Sequence, residues 1–87
     1  MKFTLAPISA SQLRAARALL NWSQGELAER AKVGRATVAD FEIGKRTPYA
    51  RTLDDMRETL EAAGVMFIAE NGGGPGVRLR AREGRTE

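Results

Sequence analysis

The pattern of apolar and polar positions predicts two helices in the first third of the chain. Ser9 with Gln12 three residues later is a capping-box pattern, and apolar side chains then recur at helical spacing until Asn21. Ser23, with a glutamate three residues later, makes a second capping-box pattern that opens a helix over Gln24–Ala31. Both helices therefore carry their own start signals.

Two further helices are predicted in the middle of the chain. The third covers Arg35–Ile43 and is stopped by Gly44, at a position where helices commonly end in a left-handed residue. A loop over Lys45–Ala50 follows. Thr52, with an aspartate three residues later, is predicted to open the fourth helix, Leu53–Ala63, which the next glycine closes.

The chemistry of the chain changes after residue 64. Val65–Ala69 is a strand-like apolar run, Asn71–Gly76 is a glycine-rich turn, and Val77–Arg80 alternates apolar and basic side chains. This order is typical of a β-hairpin. The predicted organisation is an extended lead over residues 1–8, a helical domain over 9–64, a hairpin over 65–80 and a flexible tail over 81–87.

Composition narrows the chemistry that the chain can perform. The sequence has 87 residues, which form one small domain, and it contains no cysteine and no histidine. It therefore lacks the usual metal ligands, the usual general base and a cysteine nucleophile. A domain of this size also encloses little room for a substrate pocket. We predict a protein that is not an enzyme and that uses no metal or cofactor.

Charge favours a polyanionic partner. The net charge is +3, and 11 of the 14 basic residues are arginine, which binds phosphate or guanine in a bidentate manner. A GC-rich genome would also produce an arginine-rich chain, so composition leaves both explanations open. The sequence shows neither an apolar stretch of membrane-spanning length nor the regions of a signal peptide. We therefore expect a cytoplasmic protein that makes no membrane contact.

The most specific feature is the pair of short helices separated by Lys32-Val33-Gly34. In a helix-turn-helix the two helices meet at a steep angle, so the first needs a small residue at the crossing and apolar residues must fill the angle. Here Ala28 is the small residue and Leu27 fills the angle. Each member alone would be ordinary core, but the whole set predicts this motif. The rest of the seam is Ala31, Val33, Val38 and Phe41.

Three short motifs run through this segment: Ser23-Gln24-Gly25-Glu26-Leu27-Ala28, Thr37-Val38 and Phe41-Glu42-Ile43-Gly44-Lys45-Arg46-Thr47-Pro48. Together they resemble the phage-repressor-like (XRE) family of DNA-binding regulators, over roughly residues 10–64. The resemblance implies a compact, mainly α bundle of four or five helices, here followed by the hairpin. It also implies a homodimer that binds a palindromic site in double-stranded DNA, with the third helix in the major groove.

Side chains on the third helix that point away from Val38 and Phe41 are expected to face this DNA. Arg35 is the expected base reader because its guanidinium matches O6 and N7 of guanine, and contact with phosphate alone is the alternative. Ala36 would touch a thymine methyl or simply let the helix approach, and Asp40 would accept from cytosine N4 or orient an arginine. The expected DNA-contacting residues are Gln24, Lys32, Gly34, Arg35, Ala36, Thr37, Ala39, Asp40, Lys45, Arg46 and Thr47.

Two of these residues depart from the family pattern. Lys32 stands where the family usually has glycine, and a left-handed conformation there costs about 1 kcal/mol. Gly34 stands where a serine or threonine usually caps the recognition helix; glycine is an acceptable cap but brings no hydroxyl. Lys45, Arg46 and Thr47 are expected to bind phosphates, which positions the protein without reading sequence.

The resemblance also implies a structural salt bridge between Arg17 and Glu42, which would tie the first helix to the recognition helix. Glu42 is then structural although it lies near the DNA. Trp22 could be a base-stacking aromatic, but its hydrophobic-staple spacing from Leu27 favours a place in the core.

The hairpin is expected to bring two copies together. An isolated two-stranded hairpin is marginal in water, so a second copy is expected to cover what the bundle leaves exposed. The predicted function is a homodimeric repressor that also regulates its own promoter and lies on the nucleoid when bound. Two alternatives stay open: an antitoxin that binds DNA and neutralises a partner protein, and an adaptor that no longer binds DNA. The predicted dimer contacts are Met66, Phe67, Ile68, Val77 and Leu79.

Overall fold

The computed structural model describes residues 7–80. Within them, four helices precede a two-stranded antiparallel hairpin, which confirms the predicted mainly α architecture. Most of the predicted lead (1–6) and the whole predicted tail (81–87) lie outside the described residues. The elements are α1 (Ala10–Leu20), α2 (Gln24–Ala31), α3 (Arg35–Glu42), α4 (Ala50–Ala62), β1 (Val65–Ile68) and β2 (Gly76–Leu79).

The first two helices begin where the capping patterns predict. At α1 the capping box is complete, since Ser9 Oγ accepts from the Gln12 amide and the Gln12 side chain accepts from the Ser9 amide. At α2 the Ser23 hydroxyl accepts from the Glu26 amide, but the Glu26 carboxylate accepts from Arg30. The capping-box pattern at Ser23 therefore predicts the helix start correctly. It is wrong about the bond from the Ser23 amide to the Glu26 side chain, because Arg30 offers Glu26 a charged donor.

The start of α4 corrects the sequence prediction. The pattern predicts Thr52 as the opening residue, whereas the helix begins at Ala50 with Tyr49 as its N-cap and no side-chain capping bond. Tyr49 is 87% exposed and Ala50 is also exposed. Water can therefore satisfy the first amides of this helix, and no capping side chain is required.

The helix-turn-helix seam packs as predicted. Leu27 and Val38 are fully buried, Val33 packs at the edge of the core, and the hydrophobic cluster continues into α1 and α4. Ile8, which the sequence assigns to the lead, is also buried in this cluster, so the domain begins before Ser9. The other buried residues of the seam are Ala28, Ala31 and Phe41.

Trp22 packs against the core rather than standing free. It precedes the N-cap of α2, and the guanidinium of Arg30 lies 4.5 Å from the centre of its ring. A cation over the ring face is an attractive arrangement. The interpretation of Trp22 as a packing residue is therefore confirmed.

The hairpin packs one face on the bundle. Its register pairs Val65 with Leu79 and Phe67 with Val77, and the Phe67–Val77 pair packs against the core. The guanidinium of Arg57 lies 5.4 Å from the centre of the Phe67 ring. Phe67 and Val77 are thus partly buried against their own bundle, and their assignment to the dimer interface stays a prediction. Pairing within the hairpin puts them on the inner face, and the sequence alone does not say which face is inner.

The buried amide of Gln12 fixes the hairpin to α1. Its Nε2 donates to the carbonyl of Ile68 at 3.2 Å and to that of Gly76 at 3.0 Å, where β1 ends and β2 begins. The same side chain accepts from the Ser9 amide, so one residue both caps α1 and holds the hairpin. We call this set of bonds the hairpin clamp.

Candidate nucleic-acid interface

The turn between α2 and α3 bends at Lys32 in a left-handed conformation. Its φ is 59°, and the amide of Val33 donates to the carbonyl of Ala28 at 3.0 Å, which closes the helix end. Gly34 then caps α3 without a side-chain hydrogen bond, and its carbonyl accepts from the Thr37 amide at 3.1 Å. The strain expected at Lys32 is therefore present in the fold.

The outward face of α3 carries the predicted contact residues. Arg35 and Ala36 are exposed, while Thr37, Ala39 and Asp40 are partly exposed. The opposite side of the helix is buried. The structure thus places Arg35, Ala36, Ala39 and Asp40 on the accessible side of the helix, as the periodicity predicts. The contact of all five residues with DNA stays a prediction.

The start of α3 lies close to the start of α2. A Cβ atom placed on Gly25 would lie 4.0 Å from Arg35 Cδ and 3.8 Å from the Ser23 hydroxyl. The stem of the Arg35 side chain therefore passes over the first turn of α2. This contact brings the Arg35 guanidinium near the N-terminus of α2. The guanidinium and the backbone amides of that helix end both attract anions.

The loop after α3 adds exposed cationic residues beside this face. Lys45, Arg46 and Thr47 are all exposed. The amide of Lys45 donates to the Asp40 carbonyl at 2.8 Å and that of Arg46 to the same oxygen at 3.3 Å. The loop is therefore folded back on the end of α3, and its side chains flank the helix.

Two large exposed side chains in this region escaped the sequence analysis. Ile43 is 74% exposed and Tyr49 is 87% exposed. Ile43 stands eight residues after Arg35, so helical spacing from that residue would have placed it on the outward face. Tyr49 follows a proline outside the helix, and no periodicity would have indicated its exposure.

Glu42 holds α1, α2 and α3 together. The Nε and Nη2 atoms of Arg17 donate to its two carboxylate oxygens, each at 2.7 Å, and Gln24 Nε2 donates to Oε1 at 3.0 Å. Arg17 and Glu42 are therefore the pair that the resemblance implies, joined in a two-point salt bridge. We call Arg17, Gln24 and Glu42 the recognition-helix clamp.

Two further bonds extend the recognition-helix clamp to the backbone. Arg17 Nη1 donates to the Trp22 carbonyl at 2.9 Å, and Arg14 donates to the backbone carbonyl of Glu42. The last turn of α3 contains no basic residue of its own. Arg14 therefore supplies, from α1, the positive charge that a helix C-terminus favours.

The electrostatics of this pair favour the charged forms. Burial by itself raises the pKa of Glu42, but the hydrogen bonds from Arg17 and Gln24 and the charges of Arg17 and Arg14 outweigh it, so the pKa lies below its ordinary value. The hydrogen bond to Glu42 likewise raises the pKa of Arg17. Both residues are ionised at neutral pH.

Gln24 has a partner that the sequence did not indicate. The resemblance gives it a contact with DNA, yet its side-chain nitrogen is bonded to Glu42 and the residue is partly buried. Its side chain is therefore a part of the recognition-helix clamp at the start of α2. A contact with DNA from this residue stays a prediction.

Two short helices at a glycine-capped turn, with an outward face and a basic flanking loop, define a helix-turn-helix DNA-binding protein. The family model described as Helix-turn-helix matches residues 13–62, more than half of the chain. The chain belongs to this family, of the XRE or phage-repressor-like type, and is a DNA-binding transcriptional regulator. A search of curated proteins finds no significant match. Among the residues that the structure describes, no helix is both long and apolar enough to cross a membrane.

Proposed function

We propose that the protein is a repressor that binds a palindromic operator as a homodimer and also occupies its own promoter. The observation that carries this proposal is the outward face of α3, where exposed Arg35 and Ala36 stand on a helix that the recognition-helix clamp fixes to α1 and α2. A fixed helix with an accessible face suits the major groove. Occupying a promoter excludes polymerase and requires no pocket.

Each part of this surface has a chemical role in the proposal. Arg35 donates in bidentate fashion to a guanine, and Asp40 accepts from a cytosine N4 amine or orients Arg35. Lys45 and Arg46, in the loop beside α3, bind phosphates next to the groove and so fix the register of α3. The left-handed Lys32 lies in the turn between the two helices and adds a phosphate contact.

A second copy gives the operator its symmetry. Two-fold related recognition helices about 34 Å apart match one turn of DNA. The outer face of the hairpin supports the dimer contact, because Met66, which is 37% exposed, lies there with the partly exposed Ile68. Leu79 pairs with the buried Val65 and so lies at the end of the inner face, where its 47% exposure leaves part of it open to a second copy. In the described residues the sheet has two strands, so each strand also has an outer edge to which a partner strand can pair.

Selection of bound sites from random DNA tests the proposal. Arg35→Ala should lower affinity for the selected site by about 1–3 kcal/mol and relax one base preference. Lys45→Ala should weaken all sequences alike and lower the salt slope by about one unit, whereas Lys45→Arg should keep the slope. Wild-type affinity and salt dependence in both alanine variants would overturn the proposed surface.

The assembly has its own test. Met66→Asp places a charge on the outer face of the hairpin, opposite to the face that packs on the bundle. We expect this variant to sediment as a folded monomer and to lose cooperative binding to a two-half-site operator. A wild-type protein that is monomeric both free and on DNA would overturn the dimer.

An antitoxin is the second candidate function. Arg78 is exposed and pairs in register with Met66, so the outer face of the hairpin also suits an acidic protein partner. Co-purification of a small acidic protein from the native host, lost in an Arg78→Glu variant, would favour this candidate over a plain repressor.

A further inference from the structure

Ile43 is an exposed aliphatic residue that continues the outward face of α3. It is 74% exposed and follows the last helical residue, Glu42. Its amide still donates to the Ala39 carbonyl at 3.2 Å, the bond that a residue in a continuing helix would make. The side chain therefore leaves the backbone in the direction that the helix dictates.

Helical geometry places Ile43 in the same row as Ala36. At about 100° per residue, seven residues bring the two side chains to within about 20° of each other, about 10 Å apart along the axis. The buried residues Val38 and Phe41 lie on the other side of the helix. Ile43 is thus near the middle of the accessible face, not at its margin.

The apolar side chain of Ile43 limits which groups on DNA it can recognise. An isoleucine side chain has no hydrogen-bonding atom, so it cannot contact the donors and acceptors on base edges favourably. The apolar group on a base edge in the major groove is the 5-methyl of thymine. Lys45 and Arg46 follow at once in the chain, and their contacts with phosphate would hold the end of α3 at a fixed depth.

We propose that Ile43 is a further specificity-determining residue of α3, which recognises a thymine through its 5-methyl group. This inference rests on the proposed function, because it requires that α3 enters the major groove. Ile43 then reads a base at the C-terminal end of the helix, while Arg35 reads one at the start.

Removal of a single methyl group from the DNA tests the inference. Each thymine of the selected site is replaced in turn by deoxyuridine, which lacks only the 5-methyl, and the affinity of the full chain is measured. We expect one thymine in each half-site at which the replacement weakens the wild type about fourfold, the factor for one buried methyl-sized group. In Ile43→Ala the same replacement should have no effect, whereas Ile43→Val should keep part of it.

Leu19→Ala is the matched control. Leu19 is an exposed leucine on α1, at 39%, outside the proposed surface. This variant should show the full wild-type penalty at the same thymine. Circular dichroism should show that all variants are folded, as expected for exposed positions.

The outcomes separate this inference from the function on which it rests. A wild type that selects no sequence overturns both. A wild type that selects a site without thymine, or with no thymine coupled to residue 43, overturns the role of Ile43 alone. Loss of the dimer in Ile43→Ala, with the methyl effect unchanged, would assign the residue to a protein contact and overturn the inference as well.

Discussion

Two buried polar side chains hold two regions of this protein in different ways. Within residues 7–80 the buried polar residues are Gln12 and Glu42. Glu42 fixes the recognition helix through a charged pair, and Gln12 fixes the hairpin through a neutral amide. Every buried side-chain nitrogen and oxygen in this part of the chain has a hydrogen-bond partner.

The difference shows where the fold uses charge. Hydrogen bonds between ions are roughly twice as strong as neutral ones, but each ion must be removed from water. The recognition-helix clamp has donors from α1 and α2 around one carboxylate, so it specifies one position of α3. The hairpin clamp needs no counter-charge and couples the cap of α1 to the end of the hairpin. Loss of a partner should therefore cost more at Glu42 than at Gln12.

The largest effect is expected for Glu42→Gln. This variant keeps the size of the side chain but leaves Arg17 without its counter-charge, so the free energy of unfolding should fall by about 3–5 kcal/mol in urea denaturation. The double variant Arg17→Met with Glu42→Leu is the control, and should recover most of the loss because no unpaired charge remains. A single variant within 1 kcal/mol of wild type would contradict the clamp.

Acid should remove part of the same stability. The pKa of Glu42 is lower in the folded protein than in the unfolded chain, where it is about 4.3. The stabilisation by ionised Glu42 is therefore complete above the unfolded pKa, and it is lost as the pH falls through the lower pKa of the folded state. The stability difference between the wild type and Glu42→Gln should therefore shrink as the pH is lowered from 5. Urea denaturation at a series of pH values measures this, and a difference that grows in acid would refute the sign.

A smaller effect is expected for Gln12→Ala. The substitution leaves the carbonyls of Ile68 and Gly76 without their donor, at a cost of about 1–3 kcal/mol. Hydrogen exchange at the hairpin amides should accelerate more than exchange in α3.

Gln12→Glu provides the contrasting pH test for that site. A carboxylate there would face two carbonyl oxygens, so its pKa should rise in the folded state. This variant should gain stability as the pH falls, the reverse of the behaviour expected from Glu42. Equal pH profiles for the two sites would remove the distinction between the clamps.

The smallest effect is expected for Lys32→Gly. Glycine adopts the left-handed conformation without strain, so stability should rise by up to about 1 kcal/mol, offset in part by the entropy of the unfolded chain. Asn21→Gly is the matched control, because Asn21 has the same φ of 59° but belongs to a residue type that tolerates it. Thermal unfolding should rank the Lys32 variant above the Asn21 variant.

Local signals explain which parts of the fold were predictable. The cap at Ser9 follows from residues three positions apart, and the outward face of α3 follows from its period. The left-handed conformation at Lys32 is implied by the family resemblance and not by a local pattern. The bonds from Gln12 join positions 56 and 64 residues apart, which no local pattern records. The same holds for the inner face of the hairpin, which depends on how the sheet docks.

The candidate site divides in the same way. The position of Arg35 and the cationic loop are visible in the sequence because each lies within one motif. The bond between Gln24 and Glu42 was not foreseen, since side chains from two helices must first be packed to meet. Thr52 shows the converse error, because a valid capping pattern lies inside a helix that had already begun.

Trp22 is an intrinsic fluorescent probe of this protein. It is the single tryptophan of the chain and lies just before α2. The guanidinium of Arg30, from the last turn of the same helix, lies over its ring. The Arg17 guanidinium also donates to its backbone carbonyl, so the indole is coupled to the same salt bridge that fixes α3. Its emission therefore reports on the DNA-reading half of the molecule without any label. The hairpin has no tryptophan and contributes no signal of its own, so a change in this emission can be assigned to the opening of the region around α2 and α3.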